Sequence, residues 1–258
     1  MEETESSNLE MCELLADYAV RLLGSGATCI RIEKNLTRIA STWRKEASLT
    51  IMPRHVHLTL MDSGGVNAVT VISRNVKSAI SYDLNTRLSR LSWKIADEHI
   101  PYKEAVGLYK KAIAPRGENR WWVLFAVSCA NASFCRLFGG DFVAMGVVAF
   151  ATLCGYYVKQ TMLEHKADSR VVWIVCALIS SVLGATAGLF GLGSTPEVAM
   201  ATSVLYLVPG IPFINSFSDL IDRHYICAIS RFIDASILTA CLSIGLCGGM
   251  ALMNMGMF

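Results

Sequence analysis

An apolar stretch near residue 210 is interrupted by the segment Pro209-Gly210-Ile211-Pro212. Each proline removes a backbone donor and clashes with the preceding turn, so an uninterrupted helix is excluded here. A broken helix at membrane depth is tolerated where protein or a water-filled cavity satisfies the freed backbone groups. Transporters place substrate sites at such breaks, because a half-helix N-terminus offers N–H groups and a positive dipole to an anion. The segment therefore predicts either a substrate site or a structural kink between packed helices.

Polar and charged side chains follow this break. Arg231 and Asp234 are three residues apart, so they share a helical face and can pair. Arg231 offers a planar fork for a carboxylate, and Asp219 or Asp234 offers a carboxylate that can carry a proton. The alternative is that Arg231 only anchors the orientation of its helix and Asp219 is a loop residue. The predicted substrate-binding residues are Pro209, Gly210, Asn215 and Arg231, and the predicted proton- or ion-coupling residues are Asp219 and Asp234.

Motifs for enzymatic chemistry are weak by comparison. His55 and His57 alternate on a probable strand, but no third metal ligand follows at a convincing spacing. Ser63-Gly64-Gly65 reads as a turn and lacks a nucleophile-elbow context. The sequence contains no phosphate-binding loop of the Walker type. We therefore expect no catalytic residues, no metal and no cofactor.

The charge pattern divides the chain into two halves. Residues 1–120 carry 17 Lys and Arg with 14 Asp and Glu, whereas residues 121–258 carry only 6 and 7. The net charge of +2 is far from the basic bias of a nucleic-acid-binding protein. Since the first 20 residues are acidic and the first long apolar run begins at Trp121, no signal peptide is predicted. The pattern predicts a cytoplasmic domain over residues 1–119 and a transmembrane domain over residues 120–258.

Five stretches of the second half approach the ~20 apolar residues needed to cross a bilayer. They cover about 120–138, 142–159, 171–192, 197–217 and 226–253. The third and fifth contain small-residue pairs, Gly184/Gly188 and Gly245/Gly249, which allow close approach of helix backbones. The alternative is that glycine is simply common in such helices. The predicted fold of this half is an all-α bundle of five transmembrane helices.

The first half combines helical and strand patterns. Apolar residues recur at helical spacing over 8–24 and 27–43, and again over 81–98 and 102–113. Between them lie three short strand-like runs at 49–52, 56–61 and 68–73, and the last two flank a hairpin signal, Asp62-Ser63-Gly64-Gly65. This half is predicted to be a small α+β domain.

Taken together, these features resemble the threonine/serine exporter family, specifically its N-terminal half. The matching residues are Gly26-Ala27, Arg31, Glu33, Pro53, Thr70, Phe138-Gly139-Gly140, Leu207-Val208-Pro209-Gly210, Asn215, Asp219 and Arg231. The resemblance implies a bacterial inner-membrane exporter made of a soluble domain and two five-helix halves. Because this chain has one half, it is similar to the split branch, in which a separate small membrane subunit supplies the inverted second half.

The resemblance implies a secondary exporter subunit for small carboxylates, with succinate or another dicarboxylate first and threonine or serine second. The expected partners are the small membrane subunit, the lipid bilayer and further copies of the chain, but no nucleic acid. An alternative of another class is a membrane-anchored sensor whose soluble domain acts. A transporter needs polar groups inside its spans, which this chain has, whereas an anchor needs only apolar ones.

Basic residues predict the orientation of the chain in the membrane. Seven basic residues lie before the first predicted span or around the connections between spans 2 and 3 and between spans 4 and 5, which are therefore assigned to the cytoplasm. Only Arg136 lies on the other side, in the turn between spans 1 and 2. The seven are Arg116, Arg120, Lys159, Lys166, Arg170, Arg223 and Arg231. Reporter fusions after residues 120, 168 and 222 should therefore report a cytoplasmic location, and fusions after 194 and 258 an external one. A cytoplasmic signal at residue 258 would contradict this topology.

Overall fold

A computed structural model describes residues 2–74, 80–115, 117 and 119–253. The chain forms two compact units, Met1–Arg116 with Ile211–Phe232, and Gly117–Gly210 with Ile233–Phe258. Arg116, which the orientation prediction counts, and the chain end after residue 253 lie outside the described residues.

The first unit contains two helices, three strands and two further helices, in the order that the sequence predicts. These elements are α1 (Glu2–Gly24), α2 (Cys29–Thr42), β1 (Lys45–Ile51), β2 (His55–Asp62), β3 (Val69–Arg74), α3 (Tyr82–Asp97) and α4 (Tyr102–Ile113). The unit also receives most of α9 (Gly210–Ile221) and the start of α10 (Tyr225–Leu252). The predicted α+β composition is thus confirmed.

The three strands form an antiparallel sheet with β2 in the centre. Alternation along β2 buries Val56, Leu58 and Leu60 on one face, while His55 and His57 lie on the other. The helix α1 packs against β2 and β3. Its residues Leu15, Tyr18 and Leu22 are fully buried with the strand residues in one hydrophobic core, so burial of apolar surface stabilises the sheet from one side.

The regular elements of the second unit are all helical within its described residues. Its elements are α5 (Arg120–Leu137), α6 (Phe142–Glu164), α7 (Ser169–Leu189), α8 (Pro196–Thr202), a 3-10 turn (Leu205–Leu207) and the rest of α10. Side chains of Asn119, Asp141 and Asp168 accept hydrogen bonds from the first N–H groups of α5, α6 and α7. These caps explain why each helix begins where it does.

Three described helices are long and apolar enough to cross a membrane: α6, α7 and α10. A fourth candidate is the bent pair Pro196–Leu207 and Gly210–Ile221, whose parts meet at an angle of 59°. The predicted break in the fourth apolar stretch is therefore confirmed, and it falls at Val208 and Pro209. Apolar spanning helices in a mostly helical chain are typical of a membrane protein.

Glycines bring helices of the second unit into close contact. A Cβ atom at Gly245 of α10 would clash with the backbone oxygen of Ile174 on α7 and lie 2.7 Å from Cβ of Ala177. A Cβ atom at Gly184 of α7 would lie 2.8 Å from the Ser203 hydroxyl. The close approach predicted for these two glycines is confirmed.

Gly245→Ala should lower the stability of the second unit, because backbone atoms of α7 cannot move aside as a flexible side chain can. The expected loss is ~1–3 kcal/mol, the usual penalty for an overpacked contact. The matched control is Gly146→Ala on α6, where an added Cβ meets nothing within 4 Å. Thermal unfolding of the purified protein in detergent measures both variants. Equal melting temperatures for the two variants would contradict the packing argument.

Candidate functional site

The turn between α1 and α2 is built around Gly26. Its φ of +89° lies in the left-handed region, and a Cβ atom there would sit 3.0 Å from the Ile80 side chain. The N–H of Ala27 donates to the oxygen of Leu22 at 3.0 Å and closes the end of α1. The N-cap of α2, Thr28, makes no side-chain capping bond. The turn therefore leaves backbone groups that need partners from elsewhere.

Three side chains from α9 and α10 supply these partners. Asn215 Nδ2 donates to the oxygen of Gly26 at 2.8 Å. Arg231 donates from Nη2 to the oxygen of Ala27, also at 2.8 Å. Asp219 Oδ1 accepts from the N–H of Cys29, the first residue of α2, at 2.8 Å. Each of these side chains is one that the sequence singles out for substrate binding or coupling.

Asp219 is the centre of this cluster. Its side chain is fully buried, and its second oxygen lies 3.3 Å from Nη1 of Arg231. The carboxylate thus balances the guanidinium charge and also caps the N-terminus of α2, where the helix dipole favours a negative charge. Removing one partner of such a buried pair leaves an uncompensated charge, which is strongly destabilising.

The hairpin formed by α9 and α10 positions the three side chains. Asn215 and Asp219 are four residues apart, so they lie on one face of α9. The N–H of His224 donates to the backbone oxygen of Asp219 at 2.8 Å, which closes the turn into α10. Packing between the helices adds an edge-to-face contact of Phe213 with Phe232, with ring centroids 5.6 Å apart.

Two buried cysteines border the cluster. Cys29 Sγ lies 3.5 Å from Asp219 Oδ2, and Cys227 Sγ donates to the oxygen of Ile51 at 3.3 Å. A hydrogen bond with the Cys227 thiol, burial, and the nearby charge of Asp219 raise the pKa of the Cys29 thiol. Both cysteines are free and buried.

The predicted site residues fall into both units. Asn215, Asp219 and Arg231 meet in the first unit, whereas Pro209, Gly210 and Asp234 belong to the second. Arg231 forms an ion pair with Asp219, and its pairing with Asp234 stays a prediction from the spacing. Their roles in binding or coupling remain predictions.

Sequence reasoning misses the contact of these residues with the α1–α2 turn. The sequence feature that could have indicated this contact is Gly26-Ala27, because it belongs to the family resemblance together with Asn215, Asp219 and Arg231. No group of three or more His, Cys, Asp or Glu side chains placed to hold a metal ion occurs within the described part of the chain.

Comparison with known proteins decides the family. The sequence profile of the threonine/serine exporter family, ThrE, matches residues 13–253. The chain belongs to this family. It is 26% identical over 247 residues to a Klebsiella aerogenes protein named "Probable succinate transporter subunit YjjP", with 95% of each chain covered. The Escherichia coli K12 protein of the same name is 26% identical over 226 residues, with 87% of each chain covered. No solved structure shows a significant match.

Asp219→Ala should strongly destabilise the first unit of this exporter-family protein. It leaves Arg231 without its counter-charge and α2 without its cap, for an expected loss of ~3–5 kcal/mol. The control is Glu98→Gln, which breaks the exposed pair of Lys94 and Glu98, separated by 3.9 Å, and should change stability by less than ~1 kcal/mol. Thermal melting of both purified variants, followed by tryptophan fluorescence, tests the contrast. If Asp219→Ala has the same melting temperature as the control variant, the pair of Asp219 and Arg231 does not stabilise the first unit.

Proposed function

We propose that this chain is a subunit of a secondary exporter of small carboxylates, with succinate or a related dicarboxylate as the first substrate. Membership of the exporter family supports export. The two YjjP proteins, whose names describe a succinate transporter subunit and which match nearly end to end, support the substrate class. Threonine or serine is the alternative substrate, which the family description favours.

The proposed architecture has five spans in the bacterial inner membrane, with the N-terminal α+β domain in the cytoplasm and the C-terminus outside. The seven-to-one distribution of basic residues supports this orientation. The proposed exporter also contains a separate small membrane subunit. The word "subunit" in the names of both relatives supports such a partner.

The single observation that carries the proposed mechanism is the buried pair of Arg231 and Asp219. Arg231 retains 18% exposure of its side chain while Asp219 has none. A substrate carboxylate that reaches Arg231 competes with Asp219 for the same guanidinium, because both are planar anions suited to its fork. Protonation of Asp219 removes its charge and so frees Arg231 for the substrate, which couples proton binding to substrate binding.

The other predicted site residues contribute to substrate binding or to proton coupling in this proposal. Asn215 lies one turn from Asp219 on α9 and offers an amide to the substrate. Gly210 begins α9, whose N-terminal N–H groups suit an anion, and Pro209 fixes the break before it. Asp234 on α10 is the second candidate for the coupled proton.

Deletion strains test the proposed activity. Succinate and threonine efflux are measured from cells lacking this chain, lacking its candidate partner, or lacking both. Loss of succinate efflux in all three strains, restored only when both subunits are present, is the expected result. Normal efflux of both solutes in every strain would overturn the exporter function, and full activity of the purified chain alone in liposomes would overturn the need for a partner.

Substitutions of Arg231 test the proposed site. Arg231→Gln removes charge-assisted hydrogen bonds worth ~1.5–3 kcal/mol each, so efflux should fall roughly 10–100-fold. Arg231→Lys keeps the charge but loses the fork, so efflux should fall by a smaller factor. Gly210→Leu should also impair efflux, although an added Cβ there meets nothing within 4 Å.

The control for these substitutions is Arg90→Lys, an exposed position on α3. Membrane abundance is measured for each variant, so that a folding defect is separated from a transport defect. Wild-type efflux from all three site variants at normal abundance would leave Arg231 with a purely structural role.

A further inference from the structure

One face of α6 is polar although the helix belongs to the apolar part of the chain. Tyr156 lies four residues after Thr152, and Lys159 lies four residues after Gly155, so these four residues lie along one side of the helix. Thr152 is fully buried and accepts a hydrogen bond from Asn131 of α5 at 2.7 Å. This face therefore points into the second unit rather than towards lipid.

Gly155 makes room for a pair of hydroxyl groups on this face. Tyr206 and Ser180 hydrogen-bond to each other through their hydroxyl oxygens at 2.9 Å. A Cβ atom at Gly155 would clash with both hydroxyl oxygens. The pair thus occupies the space that the absent side chain leaves, one turn of α6 before Lys159.

Aromatic rings from three elements surround the ammonium group of Lys159. Its Nζ lies 4.4 Å from the ring centre of Trp173 on α7, 5.4 Å from that of Tyr156 on α6 and 6.0 Å from that of Tyr206 in the 3-10 turn. The Trp173 ring is itself fixed, because its indole N–H donates to the oxygen of Leu207 at 2.7 Å. Ring faces attract a cation but leave its hydrogen-bond donors unused.

Lys159 has no anionic partner within the described part of the chain. None of the ion pairs among those residues involves its Nζ, and none of their hydrogen bonds uses it as a donor. The basic residue Arg120 at the start of α5, by contrast, pairs with Glu164 at 2.8 Å. A cation inside a membrane segment is expensive and is normally neutralised or functional.

We propose that Lys159 is an anion-binding residue, which binds a carboxylate group of the transported solute beside the Tyr206–Ser180 hydroxyl pair. This inference rests on the proposed export of carboxylates and adds a site in the second unit. The aromatic rings hold the ammonium in place by cation–π attraction while its N–H donors remain available for the ligand. Ser180 donates to the oxygen of Ala151 at 3.4 Å, so Tyr206 holds the proton of the hydroxyl pair, and this O–H can turn from Ser180 to the same carboxylate.

The competing explanation is that Lys159 extends towards the membrane surface and contacts anionic lipid headgroups. Lys159 lies five residues before the end of α6 at Glu164, so this explanation is geometrically open. The two explanations predict different responses to succinate and to the lipid composition of the membrane. A solute site binds succinate in neutral phosphatidylcholine, whereas a lipid site responds to anionic lipid and not to succinate.

The test uses the full chain with its partner subunit, reconstituted in phosphatidylcholine nanodiscs. Succinate binding is measured by thermal shift and by titration, with uncharged succinamide as the matched compound. Lys159→Gln should weaken succinate binding at least 10-fold and lower efflux from cells by a similar factor. Lys166→Gln, which removes an exposed lysine from the loop after α6, should leave both unchanged.

Each result separates this inference from the proposed function. Wild-type complex that binds and exports succinate, with Lys159→Gln behaving identically, would overturn the role of Lys159 and leave the exporter function intact. Wild-type complex that neither binds nor exports succinate or threonine would overturn both. If Lys159→Gln fails to reach the membrane, Lys159→Met and Lys159→Arg are compared at matched abundance. Succinate binding by Lys159→Met equal to that of Lys159→Arg would then overturn the inference.

Discussion

The fully buried carboxylate of Asp219 is the interaction on which the arrangement of the first unit depends. It neutralises Arg231 and caps the first N–H of α2 at the same time. A charge taken out of water is tolerated only when paired and hydrogen-bonded, and Asp219 meets both conditions. Residues about 190 positions apart in the sequence, Cys29 and Asp219, are thereby joined in one cluster. The guanidinium of Arg231 is therefore already engaged by a carboxylate within the protein itself.

Breaks in regular structure recur where the chain carries polar groups. The α1–α2 turn leaves the carbonyl oxygens of Gly26 and Ala27 for partners from elsewhere, and side chains of α9 and α10 donate hydrogen bonds to them. Likewise, the segment around Pro209 separates two helical parts that meet at 59°. Backbone groups freed inside apolar surroundings must find protein partners or water. Such places suit a transporter, because a ligand can take over hydrogen bonds that a regular helix would keep for itself.

The sequence predicts the elements of this protein better than their contacts. Helical and alternating periodicities place the helices and strands of the first unit, because local burial patterns repeat with the period of each element. Proline chemistry places the break within Pro209–Pro212 for the same local reason. The structure narrows it to residues 208–209, because Pro212 is tolerated in the first turn of α9. The count of five spans stays a prediction, because α5, which carries Asn131 and Arg136, is not among the three described helices that are apolar and long enough. Asn131 is instead used for a buried hydrogen bond to Thr152.

The sequence by itself determined which residues carry unusual chemistry: the proline–glycine break, and Asn215, Asp219 and Arg231 with it. Only the tertiary structure decided what they touch. The spacing of residues along a helix indicates only which side chains three or four positions apart are neighbours, and it therefore predicts a pair of Arg231 with Asp234. The partners that the structure adds, the α1–α2 turn and Asp219, are brought to Arg231 by the packing of α9 and α10 in the first unit. Long-range contacts of this kind follow from the summed burial of many side chains, which no short segment of sequence contains.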